Sequence, residues 1–236
     1  MRSTSSMESY ADFKQRCQLT DANLWAHFYQ LHQSKIDIKK PKIAVAKLKL
    51  IFQNMFKLSH DKGFALMTLR DLSRATEMSL GGLYSYIGSK EQVALMVHEF
   101  LPYLYQEVVS KHLDEMSNKV EARTIQSKDE QALRLFIMQH IYISEFLQPW
   151  FFFAFMEAKY TSPAIKKMAL DNEANTHEQL SKLIKKCHSK DNKQRLFLRT
   201  MECKSLLQSW YLKRPLYKKQ NINPEQYAQY VINQII

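Results

Sequence analysis

"TLRDLSRATEMSLGGLYSYIGSKEQV", Thr68 to Val93, carries the signatures of three helix starts in close succession. Thr68 is followed three residues later by an aspartate, which is typical of a helix N-cap. Ser79 can cap a second short helix, because Leu83 and the isoleucine four residues after it share one face. Ser89 and the glutamine three residues after it have the pattern of a capping box for a third helix. The stretch therefore predicts two short helices joined by a tight turn, followed by a longer helix.

The glycines of the chain are concentrated in and just before this stretch. Gly63 is expected to end a preceding helix that begins at about Pro41, and Gly88 to end the second short helix in a left-handed conformation. Gly81 and Gly82 lower helix propensity but allow the backbone to approach a partner closely. Two short helices joined by a tight turn are the helix-turn-helix unit, whose second helix can enter the DNA major groove.

The composition of the 236-residue chain indicates a folded, helical protein. Its 45% hydrophobic residues are sufficient for one or two buried cores. Four glycines and few alternating β-branched runs leave little material for hairpins, whereas Leu, Lys, Gln, Met and Ala favour helix. We therefore predict an all-α protein. No apolar run reaches the ~18 residues of a membrane span and no signal-peptide apolar region is present, so we expect a cytoplasmic protein that does not enter a membrane.

The net charge of +11 is concentrated around the quoted stretch. Between Lys35 and Lys90, eleven Lys and Arg residues stand against four acidic ones, which places +7 in 56 residues. This concentration suits a polyanion, although a lysine-rich face is also an ordinary way to solvate a helix.

No residue pattern of an enzyme is evident. There is no phosphate-binding loop, no nucleophile elbow and no His-Glu metal helix. Cys17, Cys187 and Cys203 are too far apart in sequence to suggest a disulfide framework or a zinc site. His177 and His188 are close in sequence to the second of these cysteines, but nothing places the three on one face. We therefore predict a protein that is not an enzyme and that has neither a metal site nor a cofactor.

The segment from about Ile43 to Val97 resembles the DNA-binding domain of the tetracycline-repressor (TetR) family of bacterial transcription regulators. The resemblance is carried by "KGF" at Lys62–Phe64, by "TLRDLSRAT" and "MSLGGLYSYIGSKEQV", and by the spacing among them. It implies an N-terminal helix-turn-helix DNA-binding domain and a C-terminal helical domain for ligand binding and dimerisation. We accordingly divide the chain into an extension with one helix at 1–40, a DNA-binding domain at 41–101 and an effector-binding and dimerisation domain at 102–236.

The resemblance implies which side chains face DNA: backbone contacts at the start of the first short helix, base contacts from the recognition helix and a phosphate contact at the start of the third helix. These residues are Thr68, Arg70, Ser79, Leu80, Gly81, Gly82, Tyr84, Tyr86 and Lys90. The two tyrosines are two apart on a helix and cannot share one face, so at least one should be exposed even if the other covers the core. Glu77 departs from the family pattern, which commonly has glycine there for a left-handed turn, so either strain or a slightly different turn is expected.

The first 40 residues also depart from the family plan. An amphipathic pattern with Leu24, Trp25, Phe28 and Leu31 predicts an additional helix that packs against the body. The sequence "KIDIKKPK", Lys35–Lys42, either packs as well or forms a basic arm that contacts DNA, and the sequence favours neither alternative.

The resemblance implies that the C-terminal domain dimerises through its last two long helices, which here run from about Pro163 to His188 and from Asp191 to Lys213. The apolar positions on them that could face the partner, or alternatively the core of one subunit, are Ile165, Met168, Leu180, Leu183, Ile184, Cys187, Leu196, Met201, Leu207 and Trp210. Pro102 should kink or split a helix that runs from Ser89 to about Lys119. An aromatic cluster at 150–155 can wall an apolar pocket or simply fill the core. The candidate effector-binding residues are His140, Tyr142, Trp150, Phe153 and Glu157.

Together these features predict a homodimeric, sequence-specific DNA-binding regulator. We expect a repressor that binds a near-palindromic operator in double-stranded DNA and is released by a small hydrophobic or amphipathic effector. The alternative is a nucleoid-associated or adaptor protein that reuses the same fold without an effector.

Overall fold

The structure, a computed structural model, describes residues 8–110 and 125–236, and this part of the chain contains helices and loops but no strand. The predicted all-α class is confirmed. The α-helices are α1 (Tyr10–Arg16), α2 (Asp21–His32), α3 (Pro41–Lys62), α4 (Leu69–Thr76), α5 (Leu80–Tyr84), α6 (Lys90–Leu104), α7 (Ile125–Phe146), α8 (Gln148–Met156), α9 (Pro163–Cys187), α10 (Lys193–Leu212), α11 (Arg214–Lys219) and α12 (Pro224–Ile235). Short 3-10 turns lie at Gln33–Lys35 and Ala158–Tyr160, and a π-helical turn lies at Tyr105–Ser110.

The described chain divides into two compact units that are discontinuous in sequence. The helix-turn-helix unit comprises Leu19–Leu104 and Pro149–Asp171, and the C-terminal unit comprises the described residues up to Gln18, Tyr105–Gln148 and Asn172–Ile236. These units do not follow the boundaries predicted at residues 40/41 and 101/102. Sequence order alone places α2 and α8 outside the helix-turn-helix segment, but their aromatic side chains belong to its core.

That core is an aromatic cluster centred on Phe28 of α2. Its ring lies edge-on to Phe52 of α3 at 4.6 Å, to Phe100 of α6 at 5.0 Å and to Trp150 of α8 at 5.2 Å between centroids. The indole of Trp150 also stacks on Phe52 with an interplanar angle of 4°. Each such pair contributes about 0.5–1.5 kcal/mol beyond its buried area. The helix predicted in the N-terminal extension corresponds to α2, which is an integral part of this unit. The prediction of one helix in residues 1–40 is wrong, because α1 also forms there, with Ser9 as its N-cap.

Helix boundaries near the quoted stretch follow their local signals. The helix expected from about Pro41 ends at Gly63, whose φ of 82° lies in the left-handed region. The helix expected to run from Ser89 to about Lys119 contains Pro102 and passes into the π-helical turn directly after Leu104. Pro102 has no N–H to donate to the carbonyl of residue 98, so the missing bond lies one turn before Pro102, whereas the π-helical turn follows it. The expected end near Lys119 falls outside the described residues.

In the C-terminal unit, α7, α10 and α12 surround an aromatic stack. The ring of Trp210 lies 4.8 Å from Tyr227 and 5.3 Å from Tyr217 between centroids. The apolar positions Leu180, Ile184, Leu207 and Trp210 are buried within the single chain. The core alternative is therefore correct for these four residues, and they do not form an exposed dimer face. Helix α11, which carries Pro215 in its first turn, is not among the helices that the sequence predicts.

Candidate nucleic-acid interface

Helix α4 begins with a complete capping box. The Thr68 hydroxyl accepts the backbone N–H of Asp71 at 3.1 Å, while the Asp71 carboxylate accepts the Thr68 backbone N–H at 2.8 Å and its hydroxyl at 2.7 Å. The same carboxylate accepts a hydrogen bond from Lys62, and these contacts, the one with Lys62 first, hold the pKa of Asp71 well below its usual range. The only donor of the Thr68 hydroxyl is therefore used inside the protein, and it cannot donate to phosphate without breaking the box.

The turn after α4 has the left-handed residue that the sequence predicts. Glu77 has φ 55° and ψ 27°, a conformation that costs a residue with a Cβ on the order of 1 kcal/mol. Below it, Leu72 and Thr76 are buried, whereas Ala75 is exposed. The hydroxyl of Thr76 donates to the Leu72 carbonyl at 2.7 Å, which allows a threonine to occupy this buried position.

Helix α5 has a side-chain N-cap within the protein, and its outer face is exposed. The Ser79 hydroxyl accepts the backbone N–H of Gly82 at 3.0 Å, and Leu83 points into the core as predicted. Gly81 is exposed, and a Cβ built there would meet no protein atom within 4 Å. A Cβ at Gly82 would lie 3.2 Å from the Ser79 hydroxyl oxygen. Packing within the chain thus accounts for glycine at one of these two positions but not at Gly81. Leu80, beside it, is half-buried.

The two tyrosines of the stretch have different environments. Tyr84 is the last residue of α5 and is 51% exposed, whereas Tyr86 is 6% exposed. Burial raises the pKa of the Tyr86 hydroxyl. The expectation that Tyr86 projects outward is wrong, because α5 ends before it and the chain turns its ring inward beside Ile87.

The Lys90 side chain contacts the loop between α3 and α4. Its Nζ donates to the Ala65 carbonyl at 2.9 Å and lies 4.7 Å from the ring centroid of Phe64. Burial lowers the pKa of this ammonium. On the other side of the loop, the carboxylate of Glu157 accepts the Phe64 backbone N–H at 3.3 Å. The Lys90 side chain thus holds the start of α6 against this loop, whereas the sequence placed it on phosphate.

The start of α6 differs in detail from the predicted capping box. The Ser89 hydroxyl accepts the Gln92 backbone N–H at 3.0 Å, but the Gln92 amide oxygen accepts the N–H of Gly88 at 2.7 Å rather than that of Ser89. Gly88 does not have the predicted positive φ, since Gly63 is the glycine with that conformation in the described chain. A Cβ at Gly88 would lie 2.7 Å from the Gln92 oxygen, so this site favours glycine for space rather than for handedness.

Two arginines on α4 extend the exposed surface. Arg70 and Arg74 are both exposed and stand four residues apart, on one face of the helix. The Arg74 guanidinium is 3.8 Å from the Asp71 carboxylate, a loose contact for a side chain that is 79% exposed. Arg74 was not among the predicted residues, although its spacing from Arg70 was the signal that could have found it.

The predicted effector residues are divided between the two units of the chain. Trp150, Phe153 and Glu157 belong to the helix-turn-helix unit, where Phe153 lies edge-on to Phe64 at 5.1 Å. Tyr142 belongs to the C-terminal unit, and its hydroxyl donates to the Glu8 carbonyl at 2.8 Å. The aromatic cluster at 150–155 contributes to a core, which was the alternative to its forming the wall of a pocket.

His140 lies in the C-terminal unit near a polar cluster that the sequence did not indicate. Lys204 of α10 forms an ion pair with Glu173 of α9 and donates to its carbonyl at 3.1 Å, and Gln208 donates to the same carboxylate at 3.3 Å. Burial lowers the pKa of His140 to about 4. The preceding residue, Gln139, is fully buried, and neither its amide oxygen nor its amide nitrogen has a hydrogen-bond partner among the described residues.

Residues 8–110 and 125–236 contain neither a metal-binding cluster nor a helix suited to crossing a membrane. No group of three or more His, Cys, Asp or Glu side chains in these ranges is placed to hold a metal ion. Within the same ranges, no helix combines the length and the apolar character required to span a bilayer.

Comparison with known proteins identifies the fold. No protein-family model and no curated protein matches the sequence. A TetR-family transcriptional regulator from Bordetella parapertussis 12822 is structurally similar, with a TM-score of 0.57, 16% identity, and coverage of 81% of this chain and 94% of that chain. A putative tetR family transcription regulator from Shewanella sp. PV-4 aligns with a TM-score of 0.44, 15% identity, and coverage of 80% and 97%. The similarity to the Bordetella parapertussis protein confirms the TetR-like fold that the sequence motifs predict.

Proposed function

We propose that the protein is a homodimeric, sequence-specific DNA-binding transcriptional regulator, and that it is a repressor released from its operator by a small amphipathic effector. The observation that carries the proposal is the outer face of α5. It is a capped helix with a glycine that packing within the chain does not require, next to a half-exposed tyrosine. This face lies in the segment that holds most of the net positive charge.

In this proposal α5 enters the major groove and α4 lies across the backbone. Gly81 allows the helix to approach the base edges, and Tyr84 reaches bases or phosphate with its hydroxyl. Leu80 contacts thymine methyl groups, so part of the recognition is apolar. Arg70 and Arg74 neutralise phosphates and position the helix without reading sequence.

Dimerisation is supported by an exposed apolar patch on α10. Phe197, Leu198 and Met201 are exposed and stand within one turn of each other on this helix. A symmetric pair would present two copies of α5, which should lie about 34–36 Å apart to enter successive major grooves. Phe197→Glu should therefore yield monomers that lose operator binding, measured by sedimentation and by DNA titration. Leu216→Glu, at an exposed site on α11, is the matched control.

The effector proposal is supported by Gln139. A buried amide without hydrogen bonds costs about 1–3 kcal/mol per unsatisfied group, and a ligand with a donor and an acceptor would recover this. The residues around Gln139 on α7 are largely apolar, so the ligand should carry an apolar body with one polar end. Gln139→Leu should keep the fold and remove the response to effector, measured as the shift of melting temperature by fractions of cell extract. Retention of that shift would remove Gln139 from the site.

Selection of bound DNA from a random pool tests the function as a whole. A regulator of this kind should return one near-palindromic sequence with half-sites one helical turn apart. Enrichment of a diffuse set would instead favour a nucleoid-associated protein, and no enrichment at all would contradict DNA binding.

A further inference from the structure

The segment between α2 and α3, Gln33–Lys40, is attached to the end of the recognition helix. We name it the α2–α3 linker. The backbone N–H of Asp37 donates to the Ser85 carbonyl at 3.0 Å, and Ser85 is the C-cap of α5. Next to this bond, Ile36 is 1% exposed and anchors the linker in the core. The segment that could have been a loose arm is therefore fixed at a known point beside α5.

The lysines of this region differ in whether their ammonium groups have partners among the described residues. Lys35 pairs with Glu99 at 2.6 Å, and Lys39 donates to the carbonyls of Gln33 and Ile36, so both ammonium groups are occupied inside the protein. Lys40 and Lys42 are exposed, and no hydrogen bond or ion pair of either side chain is found within the described ranges. Two cations at the start of α3 are thus available to an external anion.

The hydrogen bond between Asp37 and Ser85 limits how far these lysines can lie from α5. Lys40 is three residues beyond Asp37, so its Cα lies within about 11 Å of the residue bound to α5. This distance is comparable to the width of the major groove, about 12 Å. A lysine side chain on this segment can therefore reach the phosphates that border a groove occupied by α5.

We infer that the α2–α3 linker and the first turn of α3 form a second, fixed DNA-contact surface, in which Lys40 and Lys42 bind phosphates flanking the groove that α5 enters. The inference rests on the proposed function. Because Ile36 and the bond from Asp37 already hold the linker, the backbone that carries these lysines is ordered before binding, unlike that of a flexible arm. The contacts are to the backbone, so they should add affinity without adding sequence preference.

The test compares K40Q/K42Q with wild type in the full-length protein, on the DNA site enriched from a random pool. The measured quantity is the slope of log K against log salt concentration. Loss of two phosphate contacts in each subunit of a dimer should make the slope shallower by about 3.6, since each contact contributes about 0.9. The enriched sequence and the melting temperature should remain unchanged.

The control is K218Q/K219Q, which removes the same charge from exposed positions on α11. An unchanged slope in K40Q/K42Q, or an equal change in both double variants, would overturn the inference, because the second result is a net-charge effect. A melting temperature lowered only in K40Q/K42Q would also overturn it, since these lysines would then be structural. If wild type itself shows no salt-sensitive binding to any DNA in the pool, the proposed function fails rather than the role of the linker.

Discussion

Replacement of Gly81 by alanine separates what the fold requires at this position from what a partner requires. The added Cβ would meet no protein atom within 4 Å, so it creates no clash within the chain. Alanine is more favourable than glycine in a helix by about 0.5–1 kcal/mol. Gly81→Ala should therefore stabilise the free protein by about this amount, which denaturant unfolding can measure.

The same methyl group should weaken DNA binding. If α5 lies in the groove with its backbone close to the base edges, the Cβ needs space that DNA occupies. Displacement by a few tenths of an ångström misaligns the neighbouring contacts, and we expect a loss on the order of 1–3 kcal/mol, the usual cost of one lost base contact. This corresponds to roughly 5-fold to 150-fold weaker binding. Titration of the enriched operator with the same sample that was used for unfolding measures it.

Gly82→Ala is the matched control, because it adds the same group to the same helix. Its Cβ would lie 3.2 Å from the Ser79 hydroxyl oxygen, so the gain in helix propensity is offset by crowding of the cap. We expect little net change in its free energy of unfolding. Unchanged operator affinity in Gly81→Ala would refute the close approach of this face to DNA. A destabilised Gly81→Ala would refute the description of its surroundings.

The remaining predictions concern the turn, the tyrosines and the buried histidines. Glu77→Gly should raise the free energy of unfolding by about 1 kcal/mol, because glycine adopts the left-handed conformation without cost; an equal gain in Glu77→Gln would show that charge rather than backbone is responsible. Tyr84→Ala should abolish operator binding with unfolding within about 0.5 kcal/mol of wild type, whereas Tyr86→Ala should cost about 3–5 kcal/mol of stability; the reverse pattern would invalidate the assignment of inner and outer faces. Burial lowers the pKa of His32, His98 and His140 to about 4 from 6.5. Between these pH values the unfolded chain binds protons that the folded chain does not, so stability should fall as pH falls from about 6.5 to 4, and these three rings contribute at most ~4.1 kcal/mol per pH unit. Urea midpoints that stay constant across this range would contradict the buried, neutral state of the three rings.

Local chemistry was sufficient to predict where α4, α5 and α6 begin, but not where α5 ends. A Thr or Ser cap acts on backbone within three residues, so the caps Thr68, Ser79 and Ser89 can be predicted from sequence alone. The left-handed turn at Glu77 was readable only through the resemblance, since glutamate itself gives no such signal.

Contacts between distant parts of the chain were not predictable in this way. Trp150 belongs to the core around Phe28, more than one hundred residues earlier in the sequence, and no local pattern indicates this pairing. The burial of Tyr86 depends on α5 ending at Tyr84, a boundary that helical spacing does not fix. The occupation of Lys90 by the Ala65 carbonyl likewise follows from how the loop before α4 folds back.

Chemical footprinting of guanine N7 on the enriched operator tests the central claim most directly, since N7 is exposed in the major groove. The claim is that two copies of α5 occupy successive major grooves. It predicts protection from methylation in two patches separated by about one helical turn, 10–10.5 bp, and loss of both patches with Tyr84→Ala. Protection confined to adenine N3 in the minor groove, or two patches that persist in Tyr84→Ala, would contradict it.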